Sequence, residues 1–95
     1  MRKFILIVFI IFYSALGYGQ SATTKANKIY SFYKSDKLTA TDSVIKMLPN
    51  DKWFQSLAIK DQNFRVNRIK FYRNLCVKKP KNLVYLKGWT LRALK

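Results

Sequence analysis

The stretch of sequence that decides the fold is Phe64–Lys79, FRVNRIKFYRNLCVKK, which runs for 16 residues without glycine or proline. Strands usually have about 3–10 residues, so this run is long for a strand. Helical spacing places Phe64, Phe71 and Leu75 on one face. A hairpin in the middle of the run is the alternative, but the Asn-Arg pair there lacks the glycine that tight hairpin turns favour. The length of the run therefore favours a helix.

Shorter helical patterns flank this run and are separated by polar turns. The predicted helices are a segment through residue 34, capped by Thr23 or Thr24, a segment over 42–48, capped by Thr41 or Thr39, and a segment over 52–60. Turns are expected at residues 35–37, 49–51 and 61–63. Residues 83–95 are predicted to form a last helix, with a β-hairpin about Lys87-Gly88 as the alternative. The sequence thus predicts an all-α fold of short helices paired in antiparallel helical hairpins.

The N-terminal residues have the pattern of a secretory signal peptide. Met1-Arg2-Lys3 is positively charged, residues 4–13 are apolar or aromatic, and small residues follow. The apolar run is shorter than the roughly 20 residues that a membrane-spanning helix needs. Gly17 and Gly19 stand in the small-x-small order that signal peptidase requires, so cleavage is expected between Gly19 and Gln20. We therefore predict an exported protein, secreted or periplasmic, that would be membrane-anchored if residues 1–19 were retained.

Removal of residues 1–19 leaves a flexible, polar lead-in at residues 20–24 and one small basic domain at residues 25–95. The whole chain has 19 Lys and Arg against 4 Asp and Glu, a formal net charge of +15. Cys76 is its one cysteine, so the domain cannot contain an internal disulfide. A buried position is the favoured interpretation of Cys76, and an intermolecular disulfide through its thiol is the alternative.

The positive charge is concentrated in the C-terminal part of the chain. Residues 62–95 contain ten Lys and Arg residues and no acidic residue. Such an excess attracts anionic surfaces. The residues predicted to contact an anionic partner are Arg65, Arg68, Lys70, Arg73, Lys78, Lys79 and Lys81. The alternative interpretation is an ordinary solvated helix face.

Catalytic and metal-binding patterns are missing from the sequence. There is no histidine, the commonest general base and zinc ligand, and no glycine-rich phosphate-binding loop. The aspartates lie in predicted turns and caps. Trp53, Trp89 and the tyrosines are interpreted as core residues rather than as ligand-stacking residues. We therefore predict a non-enzymatic protein without a cofactor, a metal or a small-molecule substrate.

The breaks in the helical pattern recur along the chain. Leu48-Pro49-Asn50-Asp51 and Lys79-Pro80-Lys81-Asn82 lie 31 residues apart, and turns at residues 35–38 and 61–64 lie midway. Over residues 25–95 this alternation resembles the tetratricopeptide repeat, a helical hairpin with a period of about 34 residues. The resemblance implies helical hairpins that bind other polypeptides, in fewer than three full units.

Charge, export and architecture together predict an interaction module. Grooves between helices would hold a partner polypeptide, and the basic C-terminal third would attract an acidic one. A cationic, membrane-active or envelope-binding peptide is the first alternative. A truncated piece of a longer repeat protein, or a reading frame without function, is the second. Export argues against nucleic acid as the partner.

Overall fold

A computed structural model describes residues 21–33 and 36–95 of the chain. This part of the protein is all-α, as predicted. Its five α-helices are α1 Ala22–Phe32, α2 Lys37–Met47, α3 Lys52–Gln55, α4 Ile59–Lys78 and α5 Leu83–Ala93, and its two short 3-10 helices are Leu48–Asn50 and Pro80–Asn82. The predicted signal peptide, residues 1–19, and the predicted cleavage site between Gly19 and Gln20 lie outside the described residues.

The first helix begins earlier than the sequence predicts. Ser21 is its N-cap residue, although the serine side chain makes no capping hydrogen bond. The caps predicted at Thr23 and Thr24 are therefore wrong, and residues 22–24, predicted as part of a lead-in, form the first turn of α1. The reason is that Ala22 is buried and starts a stripe that repeats at Ala26, so the apolar face of the helix extends past the threonines.

The second helix also begins earlier, because its cap lies upstream of the predicted one. Asp36 is the N-cap residue, and its Oδ1 accepts a hydrogen bond from the Thr39 backbone N–H at 3.1 Å. Thr39 and Thr41, the predicted caps, lie inside the helix. The Thr41 hydroxyl donates to the Lys37 carbonyl at 2.8 Å and lies 2.6 Å from the buried Tyr30 hydroxyl. This contact joins α1 to α2 in the core.

The third helix is a single turn. Asp51 caps it, because the Phe54 backbone N–H donates to Asp51 Oδ1 at 2.9 Å. The helix predicted over 52–60 is wrong in its extent, since α3 ends at Gln55 and a new helix starts at Ile59.

The long central helix, α4, absorbs a turn that the sequence predicts at 61–63. Asp61 lies in the first turn of α4, where the helix dipole favours an anion. The Gln62 side chain donates to the Leu57 carbonyl at 2.8 Å, which satisfies an acceptor in the preceding loop. The predicted turn is therefore wrong, and one of the breaks that carry the tetratricopeptide resemblance lies within a helix. The helix predicted for residues 64–79 is confirmed through Lys78, and its strand alternative is wrong.

The last helix, α5, occupies the segment for which the sequence left a β-hairpin open. Gly88 lies inside the helix and has no positive φ. The β-hairpin alternative is therefore wrong, and strands are absent from the described ranges.

The core lies where α1, α2, α4 and α5 meet. Arg65, early in α4, bonds to the carbonyl of Ala93 at the end of α5, so these two helices run antiparallel. Cys76 is buried, which confirms the favoured interpretation of that residue. The clustered core side chains are Ala22, Ala26, Tyr30, Ala40, Val44, Leu48, Phe54, Ile69, Ala93 and Leu94. Among the helices of the described part, none combines the length and the apolar character that crossing a bilayer requires.

Candidate binding surface

The basic residues predicted to contact an anionic partner lie on α4 and in the connector that follows it. Arg65, Arg68, Lys70, Arg73 and Lys78 belong to α4, and Lys79 and Lys81 lie between α4 and α5. The structure does not bring all of them to one face. Two of them bind other parts of the fold, and Lys70 lines an open groove on the side of α4 that faces α2.

Arg65 holds the end of α5. One of its guanidinium nitrogens donates to the carbonyls of Ala93 and Lys95, each at 2.8 Å. Its Nε lies 3.3 Å from Asp61 Oδ1, and its guanidinium carbon lies 5.3 Å from the centre of the Trp53 ring. Because the last carbonyls of a helix lack partners within the helix, Arg65 completes the C-terminal end of α5 and is not free for a ligand.

Arg73 is paired with Asp42 across the contact between α4 and α2. Two guanidinium nitrogens contact the two carboxylate oxygens at 2.5 and 3.2 Å. Such two-point pairing fixes direction as well as distance. Both side chains are partly exposed, so the pair contributes at most about 1 kcal/mol to stability. Its role is to orient α4 against α2.

All four aspartates are engaged inside the fold. Asp36 and Asp51 are the N-cap residues of α2 and α3, and Asp42 and Asp61 pair with arginines of α4. Hydrogen bonds from the hydroxyl and the backbone of Thr39 lower the pKa of Asp36. No aspartate is left to balance the remaining cations of α4 and its connector.

Four aromatic side chains form a continuous row across α4 and α5, which we name the aromatic row: Phe71, Tyr72, Trp89 and Tyr85. The ring centres lie 5.9 Å apart for Phe71 and Tyr72, 5.1 Å for Tyr72 and Trp89, and 5.6 Å for Trp89 and Tyr85. Aromatic rings attract each other at these separations. Arg68 adjoins the row, because its Nε donates to the Tyr72 hydroxyl at 2.9 Å and its guanidinium lies 5.7 Å from the Tyr72 ring centre.

The aromatic row is open to solvent at both ends. Phe71 is 60% exposed and Tyr85 is 57% exposed, whereas Tyr72 and Trp89 between them are half-buried. Phe64, two helical turns before Phe71, is 63% exposed. Large apolar side chains that are exposed together are typical of interaction sites. We define the aromatic–basic surface as the aromatic row together with Phe64, Arg68, Lys78, Lys79 and Lys81.

The aromatic row was not predicted from the sequence, in which Trp89 and the tyrosines are interpreted as core residues. Tyr30 is indeed buried, but Tyr85 is exposed. A signal was present, since Arg68 and Tyr72, and likewise Tyr85 and Trp89, stand four residues apart on one helix face. No spacing within one helix could show that these two faces meet across an antiparallel pair.

The described side chains offer little reactive chemistry. Cys76 is 1% exposed, and burial raises the pKa of its thiol. A disulfide to another chain would require this part of the core to open. Burial also raises the pKa of Tyr30, although the hydrogen bond with Thr41 acts in the opposite direction. Across residues 21–33 and 36–95, no group of three or more acidic or sulfur ligands is placed to hold a metal ion.

Comparisons with known proteins found no match. No protein-family model matches the chain, and searches of curated proteins and of solved structures each found none that does.

Proposed function

We propose that the protein is a small, non-enzymatic binding module that is exported from the cytoplasm and binds an anionic partner through the aromatic–basic surface. The observation that carries this proposal is that exposed aromatic rings lie together with the exposed Arg68, which contacts Tyr72 and has no aspartate paired with it in the described part of the chain. A partner with negative charges complements such a surface in both its apolar and its charged parts.

The tertiary contacts support a module that folds before it binds. Hydrogen bonds join Tyr30 to Thr41, Arg65 to Ala93, and Arg73 to Asp42. These pairs join residues that are 11, 28 and 31 positions apart in the chain. Because contacts between residues so far apart require several helices to be packed at once, they favour a cooperative domain over a peptide that becomes ordered only on a surface.

The charge distribution supports an anionic partner. Asp61 on α4 and Asp42 on the neighbouring α2 are paired with Arg65 and Arg73. Within the described residues, the exposed lysines of the connector form no ion pair with an aspartate. Unbalanced surface cations raise the rate at which an anionic partner is captured, and salt weakens this attraction.

Export follows from the predicted signal peptide at residues 1–19, and it sets the conditions in which the module acts. Small exported domains commonly depend on disulfides, and this chain has a single cysteine. A bound partner would add stability to a domain of this size by mass action. If residues 1–19 were retained, the same surface would lie next to a membrane.

A cationic protein that binds anionic membranes or envelope polymers is the second candidate. The exposure of Phe64, Phe71 and Tyr85 favours it, because apolar and basic side chains on one surface bind anionic lipids together.

Thermal unfolding followed by circular dichroism separates the two candidates. For the purified protein in plain buffer, we expect high helicity and a single cooperative transition. Adding anionic vesicles should change the helicity little, and zwitterionic vesicles serve as the control. Helicity that develops only with anionic vesicles would favour the membrane-active candidate and reject the folded module. The binding part of the proposal is tested with polyglutamate, which should bind at low salt and dissociate as salt is raised.

A further inference from the structure

Resting on the proposed function, we infer that the partner of the aromatic–basic surface is an acidic amphipathic helix of another polypeptide. This helix lies along α4 beside α5, with apolar side chains against Phe64 and Phe71 and carboxylates against Arg68 and the connector lysines.

The composition of the surface is that of a protein–protein contact. Its middle contains Arg68, Tyr72 and Trp89, and these three residue types dominate the binding energy of protein interfaces. The lysines lie at one end of the surface, Lys78 at the end of α4 and Lys79 and Lys81 in the connector that follows, whereas lysine is depleted from the centres of interfaces. An aromatic and arginine centre with lysines at its edge therefore matches the usual division into an apolar core and a polar rim.

The spacing along α4 suits a helical partner. Phe64, Arg68, Phe71 and Leu75 follow one another at intervals of four, three and four residues, which places them along one stripe of the helix. Phe64 and Phe71 are thus separated by two turns, or about 10 Å at a rise of 1.5 Å per residue. A partner helix that presents apolar residues at i and i+7 repeats this distance.

The charges on this stripe determine the character of the partner. Arg68 stands between the two exposed phenylalanines, and Asp61, the one carboxylate on α4, is held by Arg65. Because a cation buried in an interface without a counter-charge is costly, the partner must bring a carboxylate to Arg68. An acidic helix with one apolar face satisfies both requirements.

A lipid bilayer fits the same surface less well. Three exposed asparagines, Asn63, Asn67 and Asn74, lie on α4 next to the phenylalanines. An amide that enters hydrocarbon without a hydrogen-bond partner is strongly unfavourable, whereas a polypeptide supplies such partners. Stacked nucleic-acid bases also fit less well, because Tyr72 and Trp89 already have other rings against them, and stacking of a base requires a free ring face.

The test uses two synthetic peptides of identical composition, made of Glu, Leu and Ala. In one, leucines recur at i, i+3, i+4 and i+7 to form an apolar face, and in the other the order is scrambled. Binding to the full protein is measured by isothermal titration at low and at physiological salt. Anionic vesicles and a single-stranded oligonucleotide are titrated in parallel.

We expect the patterned peptide to bind at least tenfold more tightly than the scrambled one. Phe71→Ala and Arg68→Gln should each weaken binding roughly tenfold. The matched controls, Phe32→Ala on α1 and Arg92→Gln on α5, replace exposed residues outside the aromatic–basic surface and should leave binding unchanged. Thermal unfolding of each variant establishes that it is folded.

Each other outcome contradicts the inference in a distinguishable way. Equal binding of the two peptides would reject the helical partner and leave the anionic-partner proposal in place. If the vesicles or the oligonucleotide bind tightly and the patterned peptide does not, the partner is a membrane or a nucleic acid and not a helix. If no anionic probe binds at low salt, both the inference and the proposed function are wrong.

Discussion

Removal of the Lys25 ammonium should destabilise the protein more than removal of the Asp51 charge that it faces. The Asp51 side chain is fully buried, at 0% exposure, whereas the Lys25 side chain is 37% exposed. Asp51 Oδ1 accepts the Phe54 N–H, and Oδ2 lies 3.2 Å from Lys25 Nζ without the alignment of a hydrogen bond. The pair is therefore held by charge, and only its anionic half is shielded from water.

The asymmetry in exposure sets the expected magnitudes. Lys25→Met leaves a buried carboxylate without its cation, which costs about 3–5 kcal/mol when both partners are buried. Since water reaches Lys25, we expect a smaller cost of about 2–3 kcal/mol, which corresponds to roughly 10–20 °C in Tm for a domain of this size. Asp51→Asn keeps an N-cap oxygen of similar quality, and Lys25 can turn to solvent, so that change should cost about 1 kcal/mol.

Urea unfolding followed by circular dichroism measures these free energies, and an unchanged m-value shows that the transition is the same. The double variant Lys25→Met with Asp51→Asn should be more stable than Lys25→Met alone, because it no longer contains an unpaired buried charge. Lys28→Met, an exposed substitution on the same helix, is the control and should stay within about 0.5 kcal/mol. If Lys25→Met behaves like this control, or if the double variant is no more stable than Lys25→Met, Lys25 does not stabilise the buried carboxylate of Asp51.

Four further outcomes are expected from single positions. Gly88→Ala should stabilise the protein by about 0.5–1 kcal/mol, because Gly88 lies inside a helix and an added Cβ meets no atom within 4 Å; a lower Tm would contradict this. Burial holds the folded-state pKa of Tyr30 above the ordinary 10.0, so its contribution to stability is complete below pH 10 and is lost as pH rises toward the folded-state value. The free energy of unfolding, measured against pH, should fall less steeply at alkaline pH in Tyr30→Phe than in the unaltered protein. An equally steep fall would show that Tyr30 is not its cause. Cys76 should react slowly with a thiol reagent in the folded protein and rapidly in denaturant, since it is 1% exposed and its pKa is raised; fast reaction without denaturant would show that the site opens. If residues 1–19 are cleaved as predicted, the intact mass of the protein should match a chain that begins at Gln20. A mass that matches a chain beginning at Met1 would reject cleavage.

Local sequence patterns predicted the fold class but not the ends of the helices. The uninterrupted run after Phe64 was enough to predict a helix, because its length and composition favour no other regular structure. The turn predicted at 61–63 failed because polar residues in the first turn of a helix look like loop residues in sequence. Asp61 and Gln62 take part in helix-end interactions there, and Gln62 reaches a carbonyl five residues earlier, at Leu57. Which acceptor lies within reach depends on how the preceding loop folds.

The sequence predicted the basic residues of the candidate site but did not predict its aromatic row. The excess of Lys and Arg after residue 62 is a property of composition, so the sequence alone indicated an anionic partner. Composition could not tell that Arg65 and Arg73 bind carbonyls and a carboxylate elsewhere in the fold. These partners lie 28 to 31 residues away in the chain, beyond the reach of any helical periodicity.

The sequence by itself established that the C-terminal third is strongly basic, and it favoured a helical chain and a buried Cys76 over their alternatives. Each of these depends on residues within a few turns of one another, or on simple composition. Only the tertiary structure decided which cations remain available and that Phe71, Tyr72, Trp89 and Tyr85 form one row. The physical reason is that α4 and α5 pack antiparallel, which brings Tyr72 against Trp89, 17 residues later, and Arg65 against Ala93, 28 residues later. No pattern within either helix encodes these contacts.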